Sequence, residues 1–116
     1  MPKRILVVDN ELRSREIIAR FLRESGYEVG EADDGVSAIE MLDKSEFALM
    51  ICDLVMPQLG AFDVLRHMKS RSLSTAVILI TGHPDLLARK KLEHLPHLAK
   101  PFNMYDLLHM VNKLIQ

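Results

Sequence analysis

The stretch FALMICDLVMP, residues 47–57, contains a continuous apolar run from Ala48 to Cys52. The run is too short for an ordinary helix and has the composition of a strand buried on both faces. It delivers one carboxylate, Asp53, and then reaches Pro57 and Gly60, which interrupt regular structure. In open α/β sheets, ligands bind just outside the carboxyl ends of the strands. Taken alone, Asp53 is as consistent with a loop or helix cap as with a site. Its meaning depends on what the other strand ends carry.

Working outward, four further apolar segments resemble strands. Ile5 to Val8 is a second continuous run and ends in Asp9, Asn10 and Glu11. Tyr27 to Ala32 alternates and is followed by the turn signal Asp33-Asp34-Gly35. Ala76 to Ile80 closes on Thr81-Gly82, and the short His97 to Ala99 leads to Lys100-Pro101. Helical spacing fills the intervals. Leu12 to Glu24 has Ile17, Ile18, Phe21 and Leu22 on one face, with Gly26 as a stop. Val36 to Leu42 and Ala61 to Lys69 follow, the latter through Phe62, Leu65 and Met68. Leu86 to Leu95 is ended by Pro96. Asn103 to Ile115 carries Leu107, Leu108, Val111 and Leu114, with Asn103 as N-cap.

Strand and helix alternate throughout, with short connections. This predicts an α/β fold: a doubly wound five-stranded parallel sheet with helices on both faces, a flavodoxin-like three-layer sandwich of order 2-1-3-4-5. In that order strands one and three are neighbours, and Asp9 and Asp53 meet at the topological switch point.

The length, 116 residues, fits one domain spanning 1–116 with one real core. A formal net charge of -1 leaves no basic field for nucleic acid or an anionic membrane surface. No apolar stretch is long enough to cross a bilayer, and the N-terminal run stops at Asp9, too early for a signal-peptide core. The single cysteine, Cys52, reads as a small buried hydrophobe, and the expected location is the cytoplasm.

The strand ends form one set: Asp9, Asn10 and Glu11 after strand one, Asp53 after strand three, Thr81 after strand four and Lys100 after strand five. Clustered oxygens suit a hard divalent ion such as Mg²⁺. An ammonium suits a phosphate oxygen, and a hydroxyl donates to another. A carboxylate nucleophile, a charge-neutralising ion and two donors are equipment for forming an aspartyl phosphate.

With ILVVDNE (5–11), ADDG (32–35), CDLVMP (52–57), ILITGH (78–83) and AKPF (99–102) in this order at strand ends, the chain resembles the response regulator receiver family over essentially its whole length. The resemblance implies that Asp53 accepts a phosphoryl group from a histidine kinase or phosphotransfer protein. It implies that Asp9, Asn10, Asp53 and the Val55 carbonyl bind Mg²⁺, while Thr81 and Lys100 contact the phosphoryl group. Such a domain is not an enzyme in the ordinary sense; it assists its own phosphorylation and dephosphorylation. The added charge draws Thr81 inward and repacks the face of helix four, strand five and helix five. Its partners would be the kinase and either an output domain beyond Gln116 or a separate target, with a phosphorylation-dependent homodimer as a further outcome.

Several positions depart from the family pattern. Asn10 stands where a second acid is usual, which predicts weaker Mg²⁺ binding. The segment from Thr81 to Lys100 is shortened, with HLPH (94–97) before strand five, so helix four is expected to be short or irregular. His97 takes the place of a common aromatic ring. Val55 and His83, two positions beyond Asp53 and Thr81, are not suited to orient an attacking water. His94 and His97 lack a third ligand and do not form a metal set. Two rival functions stand beside the leading one. A pseudo-receiver would dock partners without cycling phosphate, as Asn10 would permit. A flavodoxin-like cofactor binder would need a glycine-rich phosphate loop after strand one, where acids stand instead.

Overall fold

The computed structural model describes residues 3–115, so the ends of the expected 1–116 unit lie outside the described residues. The strands are β1 (Arg4–Val8), β2 (Glu28–Ala32), β3 (Leu49–Asp53), β4 (Ala76–Thr81) and β5 (His97–Ala99). The helices are α1 (Leu12–Glu24), α2 (Gly35–Lys44), α3 (Ala61–Ser70), α4 (Asp85–Arg89) and α5 (Met104–Ile115). All strand pairings are parallel, and the order is β2-β1-β3-β4-β5, as the alternation predicts.

The pleat divides the core into two layers. Leu6, Val8, Met50, Cys52 and Leu79 face one side, packed with Ala38, Leu42, Ala61, Val64 and Met68 of α2 and α3. Ile5, Val7, Leu49, Ile51, Ile78 and Ile80 face the other, against Ile18 and Leu22 of α1 and Leu107 and Val111 of α5. Every residue of β3 is buried, as its unbroken apolar run requires.

The strands lie within one residue of their expected bounds, but the helix faces are partly rotated from expectation. Ile17, Val36, Phe62 and Leu114 are exposed. The sheet instead meets the small residues Ala38 and Ala61, which allow close approach of helix backbone to strand, and Ala19 of α1 is buried as well. Helix α4 is a five-residue element followed by irregular chain, with Lys91 at φ 57°. The helical spacing over 86–95 is thus realised only to Arg89, in keeping with the short or irregular helix four that the shortened segment predicts.

Loop chemistry fixes the strand-end rim. Asp34 caps α2 through Ser37 N–H at 2.8 Å, so the Asp33-Asp34 pair does more than turn the chain. A Cβ on Gly35 would lie 2.3 Å from the carbonyl oxygen of Leu59, so only glycine lets α2 start against the loop after β3.

Candidate functional site

Asp9 and Asp53 come from neighbouring strands, because Val8 pairs with Cys52 in the β1–β3 register. Each carboxylate points into the rim above the sheet. The side chain of Asp9 is fully buried and that of Asp53 is 13% exposed. Lys100, delivered by β5, reaches across: its Nζ lies 3.1 Å from Asp9 Oδ2 and 2.9 Å from Asp53 Oδ2. The ammonium therefore donates to both acids at once, and a group bound to either would be within its reach.

The remaining carboxylate oxygens are held by the backbone. Glu11 N–H donates to Asp9 Oδ1 at 3.0 Å, and Val55 N–H donates to Asp53 Oδ1 at 3.1 Å. The second contact is a turn in which an aspartate binds the amide two residues on. Thr81 repeats it, its buried Oγ1 accepting from His83 N–H at 2.8 Å, which leaves its own proton free to donate. Thr81 sits one residue beyond Ile80, the register partner of Asp53, and its carbonyl accepts from Lys100 N–H at 2.7 Å. Asn10 is exposed on the same rim, and the Val55 side chain is 48% exposed.

Burial raises the Asp53 carboxyl above its ordinary value, and the Asp9 charge adds to this. The contacts from Lys100 and the Val55 amide pull it partly back. Burial acts to lower the pKa of Lys100, but Asp53 and Asp9 outweigh it, and the net shift is upward. Lys100 is thus held as a cation between two acids. Burial also raises Cys52, beside Asp53 in sequence, which keeps it a neutral thiol.

The donor set fits a hard divalent ion within limits. Among the described residues no three His, Cys, Asp or Glu side chains gather in a metal-binding group. Asn10, exposed on the same rim, carries an amide rather than a third carboxylate. Two carboxylates suffice for Mg²⁺, which keeps several waters and takes further oxygens from a bound phosphate.

Two contributors were not legible as site residues. Arg15, in α1, donates through Nη1 to the backbone carbonyl of Asp9 at 2.9 Å, and Glu31 of β2 receives the other side of its guanidinium, from Nε, at 3.3 Å. In sequence they read as an ordinary helix charge and a polar step in an alternating strand. The pairing of β1 with β2 is the one signal that could have brought Glu31 near Asp9.

Residues 5–112 match the family model of the response regulator receiver domain. CpdR, a response regulator receiver protein of Brucella abortus, is 29% identical over 119 residues, covering 97% of each chain. PdtaR, a transcriptional regulatory protein of Mycobacterium tuberculosis, is 34% identical over 93% of this chain, which spans only 54% of PdtaR. The chain spans about half the length of several such curated relatives. Among solved structures, the response regulator TrrA of Thermotoga maritima, in complex with Mg(2+)-BeF, superposes with a TM-score of 0.88 at 30% identity, covering 97% of this chain and 98% of TrrA. The receiver domain of the hybrid histidine kinase CckA gives 0.82 at 30% identity, covering 97% and 99%.

Proposed function

The chain belongs to the response regulator receiver domain family of two-component systems, and from that premise we propose that Asp53 accepts a phosphoryl group from a phosphohistidine on a kinase or phosphotransfer protein. The observation that carries this reading is the shared contact of Lys100 Nζ with Asp9 and Asp53. In the transfer, an Asp53 carboxylate oxygen bonds to phosphorus while the phosphorus–nitrogen bond breaks. The bonding pair leaves on the imidazole nitrogen, which takes a proton from water. Val55 N–H and Lys100 orient the attacking carboxylate. Lys100 then keeps one donor on Asp9 and offers another to the incoming phosphoryl oxygens, while the Thr81 hydroxyl donates to a further one. Asp9, Asp53, the Asn10 amide oxygen and the Val55 carbonyl would hold Mg²⁺, which supplies charge neutralisation on the phosphoryl oxygens.

The signal would leave through the flank of α4, β5 and α5. Phosphorylation adds roughly -1.5 to -2 charges at neutral pH. Thr81 and Lys100 both end on this flank, where β5 is only three residues long and α4 buries Leu87 alone. Few contacts there resist repacking. The chain would act as one receiver unit in the cytoplasm.

The test is intact-mass measurement after incubation with Mg²⁺ and acetyl phosphate. The natural chain should gain one phosphate-sized mass, and D53A should gain none. A second reading, constitutive docking without phosphate, is favoured by one observation, the amide of Asn10 in place of an acid. A natural chain that gains no mass at saturating Mg²⁺ would select that reading.

A further inference from the structure

All four polar groups of Asp9 are engaged. Its N–H donates to Ala32 O at 3.1 Å, Oδ1 accepts from Glu11 N–H at 3.0 Å, and Oδ2 accepts from Lys100 at 3.1 Å. The fourth, the backbone carbonyl, is held by Arg15 Nη1 at 2.9 Å. Arg15 is itself held. Its Nε meets Glu31 Oε1 at 3.3 Å, and the other oxygen of Glu31 binds Arg23 Nη1 at 3.2 Å. The Arg15 side chain is only 14% exposed, well covered for an arginine.

From this network we infer that Arg15 is a positioning residue for the divalent-ion site: it clamps the Asp9–Asn10 peptide between α1 and β2 and thereby sets where Asp9 and Asn10 present their oxygens. The inference rests on the functional reading above. The carbonyl that Arg15 grips is the carbonyl of the very peptide that leads into Asn10. With one acid missing from the usual set, the site depends on placement of the oxygens it has. Arg15 brings a positive charge toward a cation site, which by itself opposes binding. Glu31 offsets that charge, so the fork can be used for geometry at little electrostatic cost. Outer hydrogen bonds of this kind commonly govern metal affinity without touching the ion.

The two roles open to Arg15 have opposite signs. If it acted only through charge, removing it would tighten Mg²⁺ binding. As a clamp, its removal must weaken binding. The experiment is isothermal titration of Mg²⁺ into the natural chain, R15M and R15K, without phosphodonor. We expect the dissociation constant to rise about tenfold in R15M. R15K should be no better, because an ammonium keeps the charge but cannot span Asp9 and Glu31 as a planar fork does. Unchanged or tighter binding in R15M overturns the inference, as does full rescue by R15K. If the natural chain itself binds no Mg²⁺, the functional reading fails instead. The clamp is then judged on the free protein by amide relaxation at Asn10, which should become more mobile in R15M; an unchanged amide overturns it. Should R15M fail to fold, R15K supplies both readouts.

Discussion

Acids and bases line both ends of the sheet, but the two ends differ in how much water they admit. At the carboxyl ends of the strands, Lys100 is shared by a fully buried Asp9 and an Asp53 that is 13% exposed. At the amino ends, Arg4 and Glu28 meet at 3.5 Å with about half of each side chain in solvent, 47% and 51%. A cleft of about 780 Å³ opens beside them, lined in part by Lys3, Lys44, Glu46, Ser72 and Thr75. The same residue types thus do different things. In water a pair is screened and contributes little. Out of water, each group needs its partner, and an arriving anion is felt strongly. The proposed chemistry belongs to the carboxyl end, where the acids are withdrawn from water and share one cation.

The largest break in this contrast should come from K100M. It leaves two carboxylates together without their cation, a loss of roughly 1–3 kcal/mol in urea unfolding at neutral pH. The pH dependence has a definite sign. Asp53 has a raised folded pKa, so the native state holds its proton more tightly than the unfolded chain. Stability then rises as pH falls through the window between that raised value and the ordinary carboxyl one. Without Lys100 the window widens upward, and the deficit of K100M should shrink as the solution is acidified. Lys100, also raised, contributes stability that is complete below the ordinary lysine value and is lost as pH climbs through its folded one. At the amino end, R4M should change stability by no more than about 0.5 kcal/mol at any of these pH values. Equal losses for the two variants would erase the distinction between the ends.

N10D sharpens the contrast with a smaller effect. A third carboxylate beside Asp9 and Asp53 adds repulsion in the absence of metal and attraction in its presence. Mg²⁺ affinity should rise by about tenfold, roughly 1.4 kcal/mol, while the metal-free protein melts earlier than the natural one. Titration calorimetry and melting with and without Mg²⁺ read both signs. Equal affinities would mean that the Asn10 position does not contribute to the ion site.

The sequence carried much of this because the central strands are continuous apolar runs that stop on polar residues. Ala48 to Cys52 and Ile5 to Val8 announce buried parallel strands, and Asp53 and Asp9 follow at their ends. The chain's alternation then leaves few topologies. Helix faces were harder. Large residues such as Phe62 and Val36 suggest the apolar stripe, yet close packing selects Ala61 and Ala38. Size signals hydrophobicity, whereas a helix lying on a sheet rewards smallness at the point of nearest approach. Arg15 and Glu31 were illegible for another reason. Their roles depend on β1 pairing with β2 in register, which places Glu31 beside Val7 and brings its carboxylate within reach of α1. No local spacing encodes that meeting.

The smallest effect lies at the amino end, where Asp43 of α2 accepts from His67 of α3 at 2.9 Å. That hydrogen bond holds the Asp43 carboxyl below its ordinary value; burial opposes it, and the charges of His67 and Arg71 add to the lowering. A depressed acid stabilises the fold above the ordinary carboxyl value, and this contribution disappears as pH falls through the depressed one. D43N removes it, so the melting curves of D43N and the natural chain should differ slightly at neutral pH and converge only in stronger acid. K100M should converge with the natural chain earlier on acidification, because Asp53 is shifted the opposite way. Salt separates the pairs again: added salt should abolish the D43N difference, since both partners are reached by solvent, and should leave most of the K100M deficit in place. If the two variants converged over the same pH range with the same salt response, burial would not be what distinguishes the working end of the sheet.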